Sequence, residues 1–184
     1  GKPKGVMIPH RGLINYLEWG RGAYPLDGGT GAPVYTSIGF DATLTSLFLP
    51  LIAGKTVHLL PEGRELEALA AELRAPAGYS FVKVTPAHLD VLDALVGEEI
   101  HPKSTGCVIV GGEALLERHL APWRDRLPDT RFVNEYGPTE TVVGSSTWEL
   151  APGDSAPSGR IPIGRPVANT RLFDKICHQP VCVL

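Results

Sequence analysis

Between Pro33 and Asn134, short runs rich in β-branched and apolar residues alternate with stretches whose apolar residues recur at helical spacing. Parallel strands need a long crossover between them, usually a helix, so this alternation points to an α/β fold: a parallel sheet with crossover helices on both faces. The spacing predicts strands over residues 34–38, 55–60, 79–84, 106–110 and 131–134, with helices over 41–53, 64–74 and 114–126 and from Thr85-Pro86 onward. Leu66, Leu69, Ala70 and Leu73 form the apolar stripe of one helix, and Leu89, Leu92 and Val96 that of another. Thr85 can cap free amides with Pro86 in the first turn; Asp41 is a candidate N-cap and Gly54 a candidate C-terminal stop. Past Trp148 the pattern changes to a polar loop over 151–159, and short strands with turns are expected from Ile161 onward. Residues 1–150 therefore read as an α/β core and 151–184 as a loop and β-rich segment.

At 184 residues the chain can bury one sizeable core, whereas a two-domain enzyme would need more. A 43% apolar and 20% charged composition excludes disorder, and the 21 glycines and 17 prolines follow no collagen-like period. The longest nearly uncharged stretch, 32–55, is broken by Pro33, Thr36, Ser37, Gly39 and Asp41, so no membrane role is expected. A net charge of −3 without a basic stripe argues against nucleic acid. Cys107, Cys177 and Cys182 lack zinc-like or redox-like spacing, which suits a reducing cytoplasm. His10, His58, His88, His101, His119 and His178 share no metal-ligand spacing. Gly1-Lys2-Pro3-Lys4 is neither a secretory signal nor an initiator, so a start inside a longer protein is expected.

Ligands of open parallel sheets bind beyond the carboxyl ends of the strands. On the predicted strands, that rule gathers Asp41, Lys83, Gly111-Gly112-Glu113 and residues 134–140 along one rim. A carboxylate, an ammonium, a glycine turn and an acidic turn would then meet there.

Four motifs occur in order: Gly1-Lys2-Pro3-Lys4-Gly5-Val6 followed by Pro9-His10-Arg11-Gly12-Leu13; Phe40-Asp41-Ala42; Asn134-Glu135-Tyr136-Gly137-Pro138-Thr139-Glu140; and Ile163-Gly164-Arg165-Pro166. The first fails the Walker pattern, which needs Ser or Thr after Gly-Lys. With these motifs the sequence resembles the adenylate-forming enzymes, most closely the amino-acid adenylation domains of nonribosomal peptide synthetases. The resemblance covers most of the chain and implies part of the large N-terminal subdomain of such an enzyme. It implies ATP and Mg²⁺, an aminoacyl adenylate with release of pyrophosphate, and transfer to a phosphopantetheine thiol on a carrier protein, with condensation domains as neighbours. By resemblance, Thr139 contacts phosphate oxygens, Glu140 holds Mg²⁺ and Lys4 supports the polyphosphate loop. Tyr136 lies against the adenine face, with Asn134, Gly137 and the Gly111-Gly112-Glu113 turn around it. The family's ribose-binding Asp motif, hinge, small C-terminal domain and catalytic Lys have no counterpart here, so self-sufficient adenylation by these residues alone is not expected. The stretch 174–182 only partly resembles the family's pattern.

The resemblance also carries the amino-acid pocket onto Asp41, Ala42, Thr45, Lys83, Ile109, Gly111, Glu135, Val143 and Gly144. Asp41 would pair with the substrate α-ammonium, which favours an α-amino acid over an acyl or aryl acid. The bland alternative for Asp41 is a helix cap. Lys83 and Glu135 would be costly if left unpaired in a pocket otherwise lined by Ala42, Ile109, Gly111 and Val143. A side-chain carboxamide answers both, accepting from Lys83 and donating to Glu135, and so asparagine is expected; glutamine and hydroxylated asparagine stay open. The bland alternative is a mutual salt bridge with no ligand role. Rival readings of the chain are part of an acyl- or aryl-CoA ligase, or a noncatalytic binding subdomain.

Overall fold

The computed structural model describes residues 5–173. Lys4 and the 174–182 stretch lie outside them. Five helices are named in chain order: α1 His10–Ala23, α2 Thr43–Ile52, α3 Glu65–Leu73, α4 Pro86–Val96 and α5 Glu117–Arg126. The strands are β1 Gly31–Val34, β2 Thr56–Leu59, β3 Val82–Val84, β4 Cys107–Gly111, β5 Arg131–Tyr136, β6 Ser146–Leu150 and β7 Arg165–Pro166. None of the helices is long and apolar enough to cross a membrane.

The strands form two ladders rather than one sheet. β1 pairs in parallel with β2, while β3, β4 and β5 run parallel and β6 and β7 add antiparallel edges. Two backbone bonds join the ladders: Thr30 N–H donates to Gly78 C=O at 2.8 Å and Ser80 N–H to Gly31 C=O at 2.7 Å. The parallel strands therefore lie in the order β2-β1-β3-β4-β5. Among the described residues, β1 and β3 share backbone bonds only at this amino end and open towards their carboxyl ends. The chain reverses its winding direction there, which is where such sheets bind ligands.

Alternation along the strands builds a core on each face. Val82, Val84, Val108, Val110 and Phe132 pack with Leu69, Leu73, Leu89, Leu92, Leu120 and Trp123 of α3, α4 and α5. Phe81, Ile109 and Val133 face the other way, onto Tyr16, Leu17 and Leu49 of α1 and α2. Helices thus cover both faces, as the alternating pattern predicts.

The boundaries differ from expectation where side chains capture the backbone. β1 spans 31–34 rather than 34–38, because Ser37 Oγ accepts from Gly39 N–H and Thr43 Oγ1 donates to Ser37 C=O, folding 36–43 into turns. Those turns delay α2 to Thr43, and Asp41 makes no capping bond. α5 begins at Glu117 rather than 114, since the preceding residues bond the segment after the polar loop: Ile161 N–H donates to Leu115 C=O and Glu117 N–H to Gly159 C=O. β5 runs on to Tyr136 because β6 pairs with it up to Tyr136↔Ser146. Beyond the loop, the expected β-rich segment is reduced to β7 and single bridge positions at Arg160, Gly164 and Phe173 among the described residues.

Candidate functional site

At the mouth between β1 and β3 lies a small cavity that opens to solvent. The turn after β1 supplies Tyr35, Thr36, Phe40, Asp41 and Ala42; β3 and the start of α4 supply Lys83, Val84, Thr85 and His88. Ser46 of α2 and Gly111, Gly112, Glu135, Gly137 and Val143 complete the wall. Strand register explains the meeting: Lys83 stands opposite Ile109 and Gly111 opposite Glu135, so all four lie on the sheet face towards α1 and α2.

The Asp41 carboxylate is half-buried at this cavity and has no hydrogen-bond or ion partner among the described residues. It also borders a second, largely apolar cavity formed with Ile8, His10, Leu13, Leu44, Thr139, Val142 and Val143. Asp41 thus caps no helix, and its carboxylate is free to meet a cationic group in the cavity.

Below the cavity, Lys83 and Glu135 are buried and form a mutual salt bridge. Lys83 Nζ also donates to Thr45 Oγ1 at 2.8 Å and to Tyr16 Oη at 3.3 Å. Glu135 Oε1 accepts from the Tyr16 hydroxyl at 2.8 Å and from the Tyr24 hydroxyl at 2.6 Å. Burial, and then the negative charge of Glu135, raise both tyrosines well above the ordinary phenol range. Both remain hydroxyl donors. The two charges are thus met within the protein, and the requirement that a ligand neutralise an unpaired lysine and glutamate falls away. The motifs gave no sign of Tyr16 and Tyr24, because aromatic residues on and just beyond a helix read as core.

The other carried-over residues separate into wall and support. Thr45 is fully buried as an acceptor for Lys83, and Ile109 lies in the core under the cavity. Gly144 packs on Glu135: a Cβ there would stand 2.7 Å from the glutamate Cδ. Gly112 turns the chain at φ +88°, a left-handed conformation that favours glycine. Val142 and Val143 hold φ of 68° and 57°, strained values for β-branched residues, where the chain turns towards β6.

An adjacent cavity is lined by most of the residues expected around adenine, Gly112, Glu113, Asn134, Tyr136 and Gly137, joined by Pro138, Arg160, Ile161 and Ile163, whereas Gly111 lines the first cavity instead. Tyr136 is half exposed. The Asn134 amide donates to Pro162 C=O at 2.7 Å and so anchors the incoming loop rather than standing free. Thr139 and Glu140 lie in an exposed single turn, Thr139–Thr141. Thr139 borders the second, apolar cavity that Asp41 also borders, and lines neither the first cavity nor the adenine-side one. No cluster of three or more His, Cys, Asp or Glu suited to a metal ion occurs among the described residues.

Thr85 and His88, absent from the motif reading, share the cavity wall. His88 Nδ1 sits 3.0 Å from Tyr35 Oη and accepts from Thr85 N–H at 3.4 Å, while Thr85 Oγ1 accepts from His88 N–H at 3.2 Å. Burial pulls the imidazole below its usual range, partly opposed by Glu113.

Comparison with known proteins places this geometry. The family model described as AMP-binding enzyme matches residues 1–173. Tyrocidine synthase 3 of Brevibacillus parabrevis is 35% identical over 174 residues, covering 94% of this chain and 3% of that protein. Zwittermicin A synthase ZmaJ of Bacillus cereus is 35% identical over 181 residues, covering 94% of this chain and 34% of that protein. The chain therefore spans well under two thirds of the length of these curated relatives. The AMPPNP-bound nonribosomal peptide synthetase FmoA3 matches with a TM-score of 0.79 at 25% identity, covering 95% of this chain and 19% of that one. The Vibrio cholerae adenylation domain AlmE, in complex with glycyl-adenosine-5'-phosphate, shares the fold with a TM-score of 0.76 at 22% identity, covering 90% and 31%.

Proposed function

We propose that this chain, which belongs to the AMP-binding enzyme family, forms the amino-acid cavity and part of the nucleotide site of an adenylation domain that converts an α-amino acid and ATP into an aminoacyl adenylate and pyrophosphate. The observation that carries this reading is the shared wall. Gly112, Glu135 and Gly137 border both the Asp41 cavity and the adenine-side cavity, so an amino acid held by Asp41 would lie beside a nucleotide. The reaction joins two anions: a carboxylate oxygen bonds to the α-phosphorus as the bond to the β-phosphate oxygen breaks. Alignment and charge neutralisation are what a protein must supply.

In this reading Asp41 holds the α-ammonium, and the face of Tyr136 stacks on adenine. Thr139 contacts phosphate, and Lys4 supports the polyphosphate loop. Glu140 is an exposed oxygen donor with no side-chain partner among the described residues, which fits Mg²⁺, an ion that keeps several waters. Bound there, Mg²⁺ would spread the negative charge of the phosphates. Transfer of the acyl group to the phosphopantetheine thiol of a carrier protein, with condensation domains as further partners, follows by similarity to the peptide synthases matched above. A cytoplasmic setting suits the buried, reduced Cys107, whose thiol burial pushes up to about 12.

The finer reading is asparagine as substrate. A carboxamide is neutral, so it adds no charge beside the closed Lys83–Glu135 pair, and its NH₂ can donate to Glu135. The test is amino-acid-dependent exchange of pyrophosphate into ATP, run across a panel of amino acids on the protein that carries this chain. Asparagine should lead, and Asp41→Ala should lower its kcat/KM by about ten- to a hundredfold, the scale of one charge-assisted contact. Exchange that survives Asp41→Ala undiminished would overturn the amino-acid assignment.

A further inference from the structure

We infer that Tyr16, which lies behind the cavity and does not line it, is a positioning residue that determines side-chain selectivity; this rests on the amino-acid reading above. The proton count is closed. Tyr16 has one hydroxyl hydrogen, given to Glu135 Oε1, so the 2.7 Å bond between Tyr16 and Thr45 is donated by Thr45. Tyr16 Oη then accepts from Thr45 and from Lys83. The three hydrogens of Lys83 are all spent, on Glu135, Thr45 and Tyr16. Glu135 has accepted three bonds of about four available.

What remains for a ligand is therefore acceptor capacity on Glu135, with no free hydrogen on Lys83. Such a floor reads a side-chain donor, an amide NH₂ or a hydroxyl, and turns away a carboxylate, which would bring only acceptors. Tyr16 closes the arrangement because, among the described residues, it alone bonds Lys83, Thr45 and Glu135 together. Tyr24 donates to Glu135 without bonding Lys83.

Tyr16→Phe removes the hydroxyl and keeps the ring. The Lys83 ammonium then has three hydrogens for two protein acceptors and, by turning about its Cε–Nζ bond, can offer one to a carboxylate in the cavity that Lys83 lines. In the pyrophosphate-exchange assay, the kcat/KM ratio of asparagine to aspartate should fall about tenfold, carried by KM, the worth of one hydrogen bond to a charged group. Tyr24→Phe removes a donor from Glu135 alone; it should weaken both substrates alike and leave the ratio within about twofold. Thermal unfolding of each variant separates misfolding from selectivity, since misfolding lowers both substrates together. The inference is overturned if Tyr16→Phe behaves as Tyr24→Phe does, or if the wild type prefers an amino acid without a side-chain donor. The second result would leave the adenylation reading standing. Absence of exchange with every amino acid would instead overturn that reading, and this inference with it.

Discussion

Lys83 and Glu135 carry side-chain exposures of 4% and 1%, so their charges are met by protein rather than by water. Removing one partner strands the other. Lys83→Met should cost about 3–5 kcal/mol in chemical denaturation, the scale for breaking a buried pair, and the double variant Lys83→Met/Glu135→Gln should recover most of it. A single variant within about 1 kcal/mol of wild type would show that Tyr16 and Tyr24 hold Glu135 without the lysine. The sequence brings Lys83 and Glu135 to one cavity because each falls at or beyond the carboxyl end of a predicted strand. It does not show that they are already satisfied. Tyr16 and Tyr24 reach Glu135 only once α1 is laid on one particular sheet face, over 119 and 111 residues of separation. No local spacing encodes that.

At the scale of elements, legibility follows how local the signal is. α4 begins where the sequence says, because Thr85, Pro86 and His88 settle its start within four residues. β1 and α5 shift, because Ser37 and Thr43 in one case and 159–161 in the other compete for the backbone. The reciprocal Thr85–His88 cap also makes α4 sensitive to acid. In the unfolded chain His88 takes up its proton near about 6.5. Folded, it does so at lower pH, because burial disfavours the charged ring and Nδ1 already accepts a backbone bond. Between these values the unfolded chain binds more protons, so this contribution to stability is whole above about 6.5 and is lost as pH falls from there towards the folded value. Urea unfolding between pH 7.5 and about 5 should show His88→Gln losing less stability than wild type. Equal slopes would mean that the ring is free to protonate in place.

The whole molecule places its chemistry by strand order. In β2-β1-β3-β4-β5 the chain winds outward in both directions from the gap between β1 and β3, and the Asp41 cavity opens there because neighbouring crossovers depart to opposite faces. The alternating pattern announces the parallel sheet and its helices. The strand order, the two-ladder split and the antiparallel β6 and β7 depend on contacts between distant segments, and stay hidden from it. One consequence can be checked without turnover. A non-hydrolysable asparaginyl-adenosine analogue, binding the native state alone, should stabilise it by about 2.7 kcal/mol at a hundred times its dissociation constant. Hydrogen exchange should then slow together at the turn holding Asp41, at Gly111-Gly112 and at Tyr136-Gly137, all at the strands' carboxyl ends. α3 lies on the opposite face, packed in the core with Leu69 and Leu73, and should change only by the global increment. Protection concentrated on α3, or at one rim segment without the others, would mean that the ligand sits elsewhere and that the shared wall of Gly112, Glu135 and Gly137 joins two unrelated hollows.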